Sequence, residues 1–131
     1  MYDLYAEEIL DHYKFPRNKG PMDNPDRVYH DRNPFCGDEV TFMLKVRDGV
    51  VEDVKWEGRG CTISMASASM LSEEVKGQPL EALRNWGKEK VLELLGIPLS
   101  PTRLKCALLP LKVLQVAAWG TREEGEVTSN D

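Results

Sequence analysis

Three cysteines and one aspartate carry the distinctive chemistry of this 131-residue sequence: Cys36, Asp38, Cys61 and Cys106. In Cys36-Gly37-Asp38 a glycine separates a thiol from a carboxylate. The backbone can turn there while both side chains face one point. A thiolate and a carboxylate held that close repel, and a bound cation relieves the repulsion. The competing reading is a β-turn with a solvated Asp38. Gly58-Arg59-Gly60-Cys61 leads into a run of small residues through Met70. It reads as strand, tight glycine turn, cysteine and helix start, with Ser64 as the expected cap. A thiol at that junction lies near helix amides, which favours the thiolate. A buried structural cysteine on an Ala/Ser helix is the alternative. Cys106 precedes Pro110, and proline is tolerated in the first turn of a helix. Cys106 is therefore expected at or just before a helix N-terminus, again favouring the thiolate.

Together the four residues form one candidate ligand set. Three thiolates and a carboxylate suit a tetrahedral thiophilic metal such as zinc, or the irons of a small cluster. There is no CxxC pair. Ligands scattered over loop–helix junctions differ from a zinc-finger knuckle and imply an accessible, exchangeable site. A catalytic cysteine with an acid–base partner is a weaker reading, because neither histidine adjoins a thiol. His12 and His30 are both N-terminal and are expected to be surface or capping residues rather than ligands.

The elements that must position these groups follow from periodicity. Residues 3–13 read as an amphipathic helix with Tyr2, Ala6, Ile9, Leu10 and Tyr13 on one face, Asp3 as a cap and Pro16 as a stop. Residues 16–25 are dense in turn formers and read as a loop. Glu39 to Arg47 alternates, with Val40, Phe42, Leu44 and Val46 on one side. Asp48-Gly49 is a hairpin turn, and Val50 to Glu57 is the return strand with Val50, Val54 and Trp56 inward. One cysteine site enters this hairpin and another leaves it, so antiparallel pairing predicts that Cys36 and Cys61 approach each other. Ser64 to Lys76 reads as a helix, Gln78 to Trp86 as a short second one, Lys88 to Leu95 as a third. A rigid connection between Pro98 and Pro101 leads to a final helix ending near Trp119.

Composition bounds the function classes. The length and a 41% hydrophobic content indicate one domain over residues 1–131 with its own core, and a frayed polar tail at 121–131. The net charge of −5 argues against a nucleic-acid partner. No apolar run is long enough to span a bilayer, and the acidic, amphipathic N-terminus does not resemble a signal peptide. The expected location is therefore cytoplasmic, and an odd cysteine count there favours metal or redox chemistry over a disulfide framework.

The sequence resembles the IscU family of iron–sulfur cluster assembly scaffolds, also described as NifU N-terminal-like domains and including a SufU-like branch. The stretches that carry the resemblance are Leu10 to Gly20, Asn33-Pro34-Phe35-Cys36-Gly37-Asp38, Gly58 to Ser64 with Ala66 to Met70, and Arg103-Leu104-Lys105-Cys106-Ala107. The resemblance implies an α+β fold, a small antiparallel sheet of about three strands packed against several helices. It maps the family's metal or cluster ligands onto Cys36, Asp38, Cys61 and Cys106. It also implies a non-enzymatic scaffold that accepts sulfur from a cysteine desulfurase, assembles a transient 2Fe-2S cluster from iron, and passes it to apo iron–sulfur proteins. Isolated members often carry zinc. Lys105 stands where many IscU-type members have a histidine, as in SufU-like proteins, and its ammonium favours a thiolate at Cys106. The chaperone-binding segment of IscU-type members is only loosely echoed by Leu99-Ser100-Pro101-Thr102-Arg103. The longer SufU insertion before the third cysteine does not fit.

Three functions follow as expectations. The first is a cluster scaffold, in which Asp38, a weaker ligand than a thiolate, makes the cluster labile. The second is a zinc-dependent sulfurtransferase, with Cys106 as the persulfide acceptor. The third is a structural zinc domain, disfavoured because the apolar residues suffice for a core without metal.

Overall fold

The computed structural model describes residues 2–34 and 37–119, with side chains from residue 7 onward. Its elements run α1 (Tyr2–Lys14), β1 (Arg27–Arg32), β2 (Glu39–Arg47), β3 (Val50–Arg59), α2 (Thr62–Val75), a 3-10 helix (Leu80–Asn85), α3 (Lys88–Leu95) and α4 (Pro101–Trp119). The strands form one antiparallel meander in the order β1-β2-β3. Helices α2 and α4 pack against each other and on one face of that sheet. The fold is therefore α+β, as expected.

The hairpin is the part that sequence dictates most directly. Asp48 and Gly49 take φ of 55° and 77°, the left-handed pair that a two-residue turn matching strand twist requires. Val40, Phe42 and Leu44 point inward and are fully buried. The return strand departs from simple alternation. Lys45 pairs with Asp53 but Val46 pairs with Val51, leaving Glu52 as an extra residue. This bulge flips the parity. The inward set is Val51, Val54 and Trp56, not Val50, Val54 and Trp56.

β1 falls in a segment that carried no strand signal. Its residues alternate only between half-buried and exposed, as suits an edge strand. The loop before it is a loop, as expected, but it is fastened. Asn18 accepts from the Trp56 amide, the Trp56 carbonyl accepts from Gly20, and the Trp56 indole donates to the Arg17 carbonyl at 2.8 Å.

Several helical expectations are corrected. In α1, Ile9 and His12 are buried, while Leu10 and Tyr13 are 46% and 43% exposed. The expected helix over 78–86 is a 3-10 helix starting after Pro79. The last helix begins at Pro101, not near Pro110. Pro101 takes the first-turn place where a missing N–H costs nothing, and Pro110 lies inside. Pro110 has no N–H for the Cys106 carbonyl four residues back, and its ring crowds that turn. In the same turn, the Ser67 hydroxyl of the neighbouring helix donates to the Ala107 carbonyl at 2.9 Å. Tertiary packing thus carries a proline that an isolated helix would reject.

Phe42, Leu44, Trp56, Leu71, Leu83, Leu95 and Leu114 are the large side chains at the centre of the core, each fully buried or nearly so. The Gln115 amide donates to the Leu83 and Trp86 carbonyls, at 2.8 and 2.7 Å, and holds the 3-10 helix to α4. No described helix is long and apolar enough to cross a membrane. Cys36 and the tail at 121–131 lie outside the described residues.

Candidate metal centre

Three chain segments meet at the hairpin's open end. The first is the turn between β1 and β2. The Asn33 amide donates to the Asp38 carbonyl and the Gly37 amide to the Asn33 carbonyl, both at 2.8 Å. The turn that sequence predicted is real, but Asp38 is not solvated: it is 2% exposed. The second segment is the junction of β3 and α2, aligned with the first because Glu39 pairs with Arg59 across the sheet. The Cys61 amide donates to Asp38 Oδ1 at 3.0 Å, and the Cys61 thiol donates to Oδ2 at 3.6 Å. Gly60 is required for this approach, since a Cβ there would lie 2.9 Å from Asp38 Cβ and closer still to its carboxyl atoms.

Helix α2 starts two residues earlier than expected, and the cap is different. Cys61, not Ser64, is the N-cap, with its sulfur accepting from the Ser64 amide at 3.5 Å. Ser64 lies inside the first turn, where its hydroxyl donates to the Cys61 carbonyl at 3.2 Å. The thiol replaces the usual hydroxyl or carboxylate cap because the strand delivers it there with extended backbone angles.

The third segment is α4. Cys106 is buried, at 3% exposure, inside the helix rather than at its N-terminus. The argument that a helix start favours its thiolate therefore fails, because the helix already begins at Pro101. Its position nevertheless converges with the other two. One ligand atom each from Asp38, Cys61 and Cys106 can be chosen so that all lie within 4.8 Å of one another. Two sulfurs bound tetrahedrally to one ion at about 2.3 Å stand about 3.8 Å apart. The expected approach of Cys36 to Cys61 lies outside the described residues.

Neither histidine belongs to this cluster, but His12 is not a surface residue. It is 5% exposed, with Nδ1 2.7 Å from Ser69 Oγ and Nε2 3.7 Å from Glu73. Burial, then the nearby Arg17 guanidinium, lowers its pKa from the usual 6.5 against the opposing pull of Glu73. Ser69 also accepts from the Arg17 amide at 2.9 Å, and Ser72 donates to the Arg17 carbonyl. The serines of α2 are thus polar cross-links to α1, the following loop and α4. Their pairing with His12 was missed. The signal for it was a serine stripe of helical spacing, Ser69 and Ser72, with no hydrophobic reason to be buried. His30 is half exposed and pairs with Glu39 at 3.1 Å, as a surface residue should. That contact first, then Arg59 at 2.6 Å, holds the Glu39 carboxyl below its usual range.

Residues 4–124 match the family model described as the NifU-like N-terminal domain. The chain belongs to this family. Among NifU-like relatives it is 40% identical to the zinc-dependent sulfurtransferase SufU of Bacillus subtilis, over 93% of this chain and 92% of that one. It is 38% identical to the iron–sulfur cluster assembly scaffold protein IscU of Thermotoga maritima, over 87% of this chain and 92% of the relative. A crystal structure titled as a SUF-system scaffold protein, FiSufU of Fervidobacterium islandicum, superposes with a TM-score of 0.75 at 29% identity. The match covers 89% of this chain and 98% of that one. The NifU-like relatives thus carry two descriptions, scaffold and sulfurtransferase.

Proposed function

We propose that this chain is a cytoplasmic, single-domain scaffold that takes sulfur from a cysteine desulfurase, builds a transient 2Fe-2S cluster, and hands it to apo iron–sulfur proteins. The convergence of Asp38, Cys61 and Cys106 at the end of the hairpin carries this reading. Cys36, two residues before Asp38, supplies the remaining ligand of the proposed set. Three thiolates match the softness of iron in a cluster, and one carboxylate gives a harder, weaker bond at which the cargo can be released. The ligands come from three separate elements, so each is positioned by the packed fold rather than by a local knuckle. The deciding experiment is anaerobic reconstitution with iron(II), cysteine and a desulfurase, followed by transfer to an apo-ferredoxin. A visible chromophore that fails in Cys61→Ser and moves to the acceptor supports the scaffold. Its absence overturns it.

The similarity to the Bacillus sulfurtransferase and Lys105 beside Cys106 favour a second reading. Zinc at the same residues would keep the thiolates ionised and in place. Cys106 would attack the outer sulfur of the desulfurase persulfide. A new S–S bond forms on Cys106 as the bond to the desulfurase cysteine breaks, and that cysteine leaves as thiolate. Retained zinc, no chromophore, and a persulfide on Cys106 by mass spectrometry would select this reading.

A further inference from the structure

Beside the candidate centre runs an open groove of about 300 Å³ between the end of β1 and one flank of α4. Lys105, Leu108, Leu109 and Lys112 line it from the helix. They fall at i, i+3, i+4 and i+7, which makes them one face. The facing wall is Asp31 to Pro34. Leu108, Leu109 and Pro34 give the groove an apolar floor. Its rim is cationic: Arg32, Lys105 and Lys112 are exposed around it. Asp31 is the single carboxylate among the described residues that line it, and Lys112 holds it at 2.9 Å. That hydrogen bond also raises the pKa of Lys112, so its charge persists through the physiological range.

This patch runs against the rest of the molecule, whose net charge is −5. It is also joined to the candidate centre. Lys105 precedes Cys106 in α4, and Asn33 is hydrogen-bonded to the Asp38 carbonyl. The groove thus adjoins a candidate ligand on each wall, Cys106 by sequence and Asp38 by a hydrogen bond. An acidic partner surface is attracted to this patch against the net negative charge of the chain, so the groove favours one orientation.

We propose that this groove receives an acidic segment of a cluster acceptor, with one apolar side chain on the Pro34–Leu108–Leu109 floor and its carboxylates against Arg32, Lys105 and Lys112. The proposal rests on the scaffold reading for the identity of the partner, and on charge and shape for the surface itself.

The test is a titration of the ¹⁵N-labelled full chain with a strongly acidic apo-ferredoxin at low salt, followed by amide shifts. Shifts are expected at Arg32, Lys105, Leu108, Leu109 and Lys112. Lys112→Glu and Arg32→Glu should each weaken binding about tenfold, an effect that shrinks as salt screens it. Leu108→Ser should weaken it with no change in salt dependence. No binding by wild type, unchanged affinity in both charge reversals, or shifts confined to the exposed Leu10, Tyr13 and Phe15 would each overturn the proposal. Cobalt(II) binding keeps this apart from the scaffold reading. A charge-reversed protein with normal thiolate-to-cobalt absorption and normal ferredoxin affinity overturns the groove alone. A wild type without that absorption overturns the metal site instead.

Discussion

Gly60→Ala tests whether Asp38 is held where the structure puts it. A Cβ at residue 60 would overlap Asp38 Oδ1 and lie 2.7 Å from its Cγ and 2.9 Å from its Cβ. Asp38 is buried and short, so it cannot swing aside cheaply. Two costs follow. Relieving the overlap by local shifts costs about 1–3 kcal/mol. Displacing Oδ1 from the Cys61 amide forfeits a hydrogen bond contributing about 1 kcal/mol. The sum is about 2–4 kcal/mol, measurable by urea denaturation of the metal-free chain. In an Asp38→Ala background the two shortest contacts vanish, and so does the hydrogen bond. Only the 2.9 Å approach of the two Cβ atoms remains. Gly60→Ala should then keep the backbone cost and about 1 kcal/mol of overlap, a coupling of roughly 1–3 kcal/mol in the double-mutant cycle. Equal costs in both backgrounds would refute the argument, because the penalty would then come from the backbone of residue 60 alone.

The remaining predictions address other parts of the molecule. His12 has a lowered pKa in the fold, so the unfolded chain binds the proton first as pH falls below 6.5. Stability is therefore intact above that value and declines as pH drops from it through the folded pKa; urea midpoints at pH 7.5 and 5.5 should differ less in His12→Gln than in wild type. Chelation should leave a cooperative unfolding transition, because the core needs no metal, whereas collapse of the far-ultraviolet signal would mark a structural zinc domain. Asp38→Ala should lengthen the lifetime of a reconstituted cluster, read as slower transfer to apo-ferredoxin, and unchanged transfer would remove the carboxylate from the release step. Ser67→Ala should cost about 1 kcal/mol for the lost bond to Ala107, and no change in urea midpoint would mean that Pro110 is accommodated without it.

What could be read from the sequence was what local rules control. Asp48-Gly49 fixes a hairpin through φ alone, and the hairpin's register then places Asp38 beside Cys61. Where tertiary contacts decide, the reading failed. Pro110 looked like a helix start because nothing local showed that Ser67 would serve the disturbed turn. Val50 and Val51 are equally apolar, so only the bulge at Glu52 decides which faces inward. β1 carries Arg27, His30, Asp31 and Arg32 because it is an edge, and that composition hides the strand. Nothing local to His12 marks it as buried, because its partner is a serine 57 positions away.

The capping of α2 by Cys61 has a consequence for how the centre can be moved. In a zinc knuckle the ligands travel with one short peptide, so the site can be transplanted. Here a single sulfur both begins a helix and faces the centre, while the Asp38 carboxyl beside it depends on a neighbouring strand and Cys106 on a distant helix. An excised loop bearing any one of these residues would keep its thiol or carboxyl and lose its geometry. The unit of inheritance for this centre is the sheet together with α2 and α4, so recombination that preserves its chemistry has to exchange them as a block.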